Sequence, residues 1–168
     1  VSVVIDGSIY SSYLFIIAVG LPVIYGVMKI LNMAHGSLYA LGAYVAATLV
    51  GAWFNSGLNP YGSFALLAVS AIAVGLVAGP LIERGLLRFM YGKDEIVLVL
   101  VTYSVFLILE DVITLIWGVE SYSAYQPYGL LGNIDLGGLP YTVYDALLVI
   151  VAILVGVALT LVLTRTRH

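Results

Sequence analysis

The sequence predicts an all-α integral membrane protein, a polytopic bundle of about five transmembrane helices. Hydrophobic residues make up 62% of the chain and charged residues only 9%, whereas soluble domains carry roughly 25% charged residues. The apolar residues are grouped into stretches that match the ~20 residues a helix needs to cross a bilayer. A water-soluble fold is therefore excluded.

The predicted spans fill most of the chain and leave one long connection, residues 119–142. Turn-forming and charged residues are concentrated in the connections, as in the segment NSGLNPYG. We therefore assign residues 1–168 to a single transmembrane domain. Its predicted spans are residues 9–31, 36–54, 62–82, 96–117 and 143–163.

The positive charges predict the orientation of the bundle. Lys and Arg are retained on the cytoplasmic side of a membrane, and all six of them lie on one alternating set of connections. We therefore predict that the N-terminus lies outside and the C-terminus in the cytoplasm. The cations are Lys29, Arg84, Arg88, Lys93, Arg165 and Arg167. The aromatic residues predicted to form a belt at the outer interface are Trp53, Tyr61, Trp117, Tyr141 and Tyr144.

Small residues recur at helical spacing in the second and third spans. Such faces let helix backbones approach closely, and this contact drives helix association in lipid. We expect these two spans to pack against other helices. The small residues are Gly36, Ala40, Ala43 and Ala47 in the second span and Ala71, Gly75 and Gly79 in the third.

Pro22 lies near the middle of the first span, between Gly20 and Gly26. Proline removes an amide donor and its ring clashes with the preceding turn. The sequence predicts a kink or a break there. A break would expose backbone groups to a substrate path, as in transporters with discontinuous helices.

Polar residues crowd the point where the first span ends and the second begins. Asn32, His35 and Ser37 lie within six residues. Asn or Ser there could cap the exposed amides of the second helix. Alternatively, these side chains and the helix-start amides could face a pore and bind a carboxylate.

Several segments resemble bacterial branched-chain amino acid permeases of the ATP-binding cassette (ABC) class. The strongest likeness is in IYGVMKILNMAHGSLYALGAYVA at residues 24–46. It continues in LIERGLLRFMYG, LVTYSVFLILEDVITLIWG and the final segment from residue 141. Ser37 and Pro22 depart from the family pattern, and related urea and short-amide permeases share the NMAHG motif. A urea or short-amide substrate is therefore the nearest alternative.

The resemblance implies a translocation path driven by separate ATP-binding subunits, so no cofactor is expected in this chain. It also implies a second permease subunit, an extracytoplasmic solute-binding protein and a location in a bacterial or archaeal plasma membrane, among lipid. In the family, the sequence after LTRTRH runs into a loop that contacts the ATPase. We therefore expect the domain to be incomplete at its C-terminus.

Two adjacent acids, Glu110 and Asp111, lie about two turns inside the outer end of the fourth span. A carboxylate there is costly, up to ~2.5 to 3.5 kcal/mol at mid-bilayer. Water near the interface, protonation or a cation from a partner could offset this cost. Another option is the ammonium group of a substrate in transit. We therefore count both acids as candidates for the translocation path, with Pro22, Asn32, His35 and Ser37.

The long outer segment is rich in tyrosine and contains the turn-prone sequence GNIDLGG, which predicts a small hairpin. We expect Tyr122, Tyr125 and Tyr128 to help dock the solute-binding protein. The alternative is that they pack as a simple lid.

No enzyme motif is present. The segment YGKDE lacks the spacing of a phosphate-binding loop, and the chain contains two His and no Cys, which leaves no predicted metal site. The scattered cations argue against a nucleic-acid partner. Two further functions stay open: a passive channel or facilitator with a filter at Asn32, and a membrane scaffold that transports nothing.

Overall fold

The computed structural model describes residues 2–29, 31–120, 122–136 and 138–165. Within these ranges the chain is mainly helical, and five helical stretches are long and apolar enough to cross a membrane. The helices are α1 (Ser2–Ala18), α2 (Gly20–Met28), α3 (His35–Asn55), α4 (Gly62–Gly85), α5 (Glu95–Trp117) and α6 (Val143–Arg165). A 3-10 turn, Leu87–Phe89, follows α4, and β1 (Asn133–Leu136) and β2 (Leu139–Thr142) precede α6. The described elements form two compact units, one of α1, the two strands and α6, and one of α2 to α5.

The last four predicted spans correspond closely to α3, α4, α5 and α6. The first span was placed too late, because helix α1 begins at Ser2 rather than at residue 9. The missed residues are 2–8. The Ser8 hydroxyl donates to the Val4 carbonyl, so its polar group is satisfied within the helix, as are those of Ser11 and Ser12 in the next turn. The predicted end of this span, including Ile30, lies partly outside the described residues.

The predicted interruption of the first span lies at Val19, three residues before Pro22. Pro22 has no N–H to donate to the Ala18 carbonyl, and its ring is expected to clash with that group. The helical bond pattern therefore stops one turn before the proline. Pro22 itself lies in the first turn of α2, where a missing donor is tolerated.

In the second unit, helix α3 packs against both α4 and α5. The turn between α3 and α4 is closed by Trp53, whose indole N–H donates to the Asn59 carbonyl at 2.9 Å. A Cβ at Gly62 would overlap the Trp53 ring. At the other interface the Trp117 indole N–H donates to Thr48 Oγ1 at 2.7 Å, and its ring lies 5.5 Å from that of Tyr44.

In the first unit, α1 packs against α6, and the Phe15 ring lies against Gly156. The predicted hairpin is confirmed: β1 and β2 pair in antiparallel register, with Ile134 opposite Tyr141 and Asp135 opposite Pro140. Gly138 in the turn has a φ of 85°, which glycine adopts without strain.

Candidate functional site

The polar turn before α3 is held by local hydrogen bonds. Asn32 Oδ1 accepts the Ala34 amide at 3.0 Å, and Ser37 Oγ donates to the Ala34 carbonyl at 3.0 Å. The prediction that Asn32 or Ser37 caps the helix is therefore wrong, because the N-cap residue is Ala34 and no side chain caps the helix. Asn32 lies too early and forms a turn instead, and Ser37 lies inside the first helical turn.

Thr102 of α5 fastens this turn to the bundle. Its hydroxyl accepts the Met33 amide at 3.2 Å and lies 3.1 Å from the Val99 carbonyl and 3.3 Å from the Leu31 carbonyl. The side chain is completely buried. Sequence reasoning missed this residue. The available signal was the hydroxyl-bearing segment TYS at 102–104, which interrupts an otherwise apolar run.

A cavity of about 340 Å³, here called the α3–α5 cavity, brings Ser37 and Glu110 together from the two helices. Its volume falls within the ~300–1,000 Å³ range of small-molecule sites. It combines hydroxyl and carboxylate groups with apolar walls, an arrangement that suits a small amphipathic molecule. The lining residues that can donate or accept through side chains are Ser37, Tyr44, Glu110 and Thr114, and the apolar ones include Ala40, Phe106 and Ile113.

Glu110 and Asp111 differ although they are neighbours in sequence. Both side chains are exposed in the chain, but only Glu110 lines the α3–α5 cavity. Consecutive helix residues point about 100° apart, so a single face can present only one of them. Helix α5 carries no basic residue that could pair with either acid.

His35 lies on the opposite side of α3. Its ring packs so closely on α2 that a Cβ at Gly20 would overlap it. It also lines a groove of about 420 Å³, here called the α3–α4 groove, which is otherwise mainly apolar. The small residues of the groove are Gly42, Ala43, Ala46, Ala71, Gly75 and Gly79.

Asn32 lines a third, smaller cavity of about 150 Å³ together with Glu83 of α4. Tyr91 follows the 3-10 turn, and its hydroxyl donates to the Glu83 carboxylate. Partial desolvation of the Tyr91 hydroxyl and this hydrogen bond raise the pKa of Tyr91 to about 12. Asn32, His35 and Ser37 are thus close in sequence, but they open onto three different spaces.

The three tyrosines predicted to dock a partner are in different environments. Tyr125 is 72% exposed, whereas the Tyr122 hydroxyl lies against Gly51 of α3. Tyr128 donates its hydroxyl to Asp145 Oδ2 at 2.6 Å. Burial of Tyr128 and that hydrogen bond raise its pKa. Only Tyr125 is therefore mostly available to a partner.

Asp145 is a buried acid that sequence reasoning missed. Thr142 donates its hydroxyl to Asp145 Oδ2 at 2.7 Å, and the Asp145 amide donates back to Thr142 Oγ1 at 3.2 Å. The signal was the segment TVYD at 142–145, which has the spacing of a helix capping box, Thr followed by an acid three residues later.

Comparison with known proteins decides the family. The family model described as the permease component of the branched-chain amino acid transport system matches residues 3–168. The chain belongs to this permease family. The predicted resemblance is therefore confirmed over almost the whole chain.

Curated relatives of this permease carry the same description. The chain is 26% identical to the high-affinity branched-chain amino acid transport system permease protein BraD of Pseudomonas aeruginosa, over 97% of the chain and 54% of that protein. It is 26% identical to LivH of Escherichia coli K12, over 96% of the chain and 52% of LivH. It is 30% identical to a probable LivH of Methanocaldococcus jannaschii, over 96% of the chain and 51% of that relative.

The chain spans about half the length of these curated relatives. Their names describe transport proteins rather than enzymes. None of the solved structures matches the chain.

Proposed function

We propose that this chain belongs to the permease subunit of an ATP-driven importer and helps line the path for branched-chain amino acids. The family match over residues 3–168 carries this proposal. The α3–α5 cavity supports it, because it pairs an acidic group with apolar walls in a helix bundle.

The chemistry of the α3–α5 cavity suits a zwitterion with an aliphatic side chain. The Glu110 carboxylate would accept hydrogen bonds from the substrate ammonium group, and this charge pair would offset the cost of an acid inside the membrane. Tyr44 and Thr114 would supply hydroxyl groups beside it. Phe106 and Ile113 would contact the aliphatic side chain.

The other candidate residues are proposed to shape the path around this cavity. Ser37 forms a buried part of the cavity wall. Asn32 closes the turn before α3 by accepting the Ala34 amide, and His35 packs against Gly20 of α2. Pro22 would keep the helix interrupted at Val19, and this break would allow α2 to change its orientation during transport. Asp111 would face a partner subunit or water beside the cavity.

The other functions of the importer would come from further components of the complex. ATP would be bound by separate subunits, and a second permease subunit would complete the path. A solute-binding protein would deliver substrate from outside, where Tyr122 and Tyr128 would support the outer segment and Tyr125 would contact the partner. The assembly would lie in a bacterial or archaeal plasma membrane.

We propose an orientation with the N-terminus outside and the C-terminus in the cytoplasm. Asp6 of α1 interacts with the Tyr141 hydroxyl of β2, which supports the predicted location of the N-terminus and the hairpin on one side. The described cations, Lys29, Arg84, Arg88, Lys93 and Arg165, follow the alternation that marks the cytoplasmic side. Arg167 lies outside the described residues.

The test is uptake of labelled leucine, isoleucine, valine and urea into vesicles that contain the whole transporter. We expect uptake of the amino acids to require ATP and the ATP-binding subunits. Uptake that persists without ATP would contradict the proposal and favour a passive channel. ATP-dependent uptake of urea alone would contradict the proposed substrate.

A single substitution tests the proposed contact between Glu110 and the substrate. Glu110→Gln should lower the apparent affinity for leucine roughly tenfold, a loss of ~1.4 kcal/mol, because a charge-assisted bond to the ammonium group is lost. Glu95→Gln is the matched control, since it removes an acid from the other end of α5. Equal affinities in the wild type and both variants would contradict the proposed contact.

A further inference from the structure

The Asp145 carboxylate is the meeting point of three parts of the first unit. It is only 6% exposed and accepts hydroxyl groups from Tyr128 at 2.6 Å and Thr142 at 2.7 Å. Tyr13 of α1 lies beside the same carboxylate. An ionised acid in this position is satisfied by hydroxyl donors and by the N-terminus of α6, whose dipole favours negative charge.

These bonds attach both ends of the hairpin to the N-terminal end of α6. Tyr128 precedes β1, Thr142 is the last residue of β2, and the Val143 amide donates to the Gly132 carbonyl at 3.0 Å. A two-stranded hairpin is marginally stable by itself. Its orientation is therefore set by these attachments rather than by its own pairing.

The exposed surface of the hairpin combines apolar side chains with a carboxylate. Ile134 is 39% and Leu139 46% exposed, and Asp135 is exposed between them. The segment from residue 119 to 142 contains no Lys or Arg. The chemistry that fits this surface is a folded protein patch with apolar side chains and at least one cation.

We infer that Asp145 is a positioning residue, which holds the hairpin in the geometry that receives the extracytoplasmic solute-binding protein. The inference rests on the proposed function for the identity of this partner and for the outer location of the hairpin. The clasp, defined as Asp145 with Tyr128 and Thr142, acts before the partner arrives. It reduces the disorder that docking would otherwise have to remove.

The first experiment tests the clasp without any partner. The 168 residues contain no cysteine, so a nitroxide label can be attached at Leu139→Cys in a complete transporter whose other subunits and remaining segments have been freed of cysteine. Tyr128→Phe should make the label more mobile by electron paramagnetic resonance. Tyr10→Phe should not, because Tyr10 is an exposed residue of α1. Unchanged mobility in Tyr128→Phe and in Asp145→Asn would overturn the inference.

The second experiment tests docking through ATP hydrolysis stimulated by loaded binding protein. Tyr128→Phe should raise the half-maximal concentration of binding protein roughly tenfold with an unchanged maximal rate, because docking then has to order the hairpin. Asp145→Asn should have a similar effect, and the double variant should add little. Thr142→Ser, which keeps the hydroxyl, should behave like the wild type.

The outcomes separate the two proposals. A wild-type transporter that no binding protein stimulates would contradict the proposed function and its docking partner. A stimulated wild type whose half-maximal concentration is the same in all variants would overturn the inference alone. A fall only in maximal rate or in basal ATP hydrolysis would also overturn it, because that result indicates a merely structural role.

Discussion

Helix α3 meets α5 and α4 in different ways. Toward α5, the contact contains the bond from Trp117 to Thr48 and a cavity with an acid, and the fully buried Thr102 holds the turn that leads into α3. Toward α4, glycines at 42, 75 and 79 line an open groove, and a Cβ on any of them would meet nothing within 4 Å. The first interface is specified by polar groups, and the second leaves space.

This difference separates two roles for small residues in a membrane helix. A hydroxyl that bridges helices removes the penalty for unsatisfied backbone groups and fixes one geometry. A glycine stripe in an open groove contributes no such bond. The side facing α5 therefore carries the candidate binding chemistry, and the glycines that line the α3–α4 groove are expected to tolerate substitution.

The largest expected effect is that of Thr102→Val. This change keeps the side-chain shape but leaves the Met33 amide without its bond, at a cost of about 1–3 kcal/mol. The apparent melting temperature in detergent should fall. The control Thr160→Val, which affects an exposed hydroxyl within α6, should have a much smaller effect. Equal melting temperatures would show that the turn is not fastened by Thr102.

A smaller effect is expected for Gly20→Ala, which places a methyl group against the His35 ring. Displacement of the ring should destabilise the protein by about 1 kcal/mol after the gain in helix propensity is subtracted. Gly26→Ala lies on the same helix with open space around it, so it should be neutral or stabilising. Thermal melts that show no difference between the two variants would contradict this packing of His35.

The smallest effect is expected in the α3–α4 groove. Gly75→Ala should leave the stability of the isolated chain unchanged or raise it by up to about 1 kcal/mol, because the groove has room and alanine favours helix. The measurement is the same melt in detergent. A clear loss of stability would show that the groove is closed, which would remove the contrast between the two sides of α3.

Composition was sufficient to predict most of the helices, because a long apolar run has few alternatives to a membrane span. The sequence predicted a polar turn at Asn32, but it did not predict the hydrogen bonds that hold this turn in place. Thr102 was missed because its partner Leu31 lies 71 residues away. Asp145 has a local partner in Thr142, but its bond to Tyr128, 17 residues away, has no local signal. The start of α1 was misplaced because Asp6, Gly7 and Ser8 resemble loop residues in the sequence, although the Ser8 hydroxyl bonds within the helix.

The placement of the substrate path on the α5 side of α3 can be measured directly with single cysteines. Ala40 lines the α3–α5 cavity and Gly75 lines the α3–α4 groove. In the complete transporter, leucine delivered by its binding protein should slow the reaction of an Ala40→Cys variant with a small water-soluble thiol reagent. The reaction of a Gly75→Cys variant should be unchanged. Protection at Gly75→Cys without protection at Ala40→Cys would contradict the account.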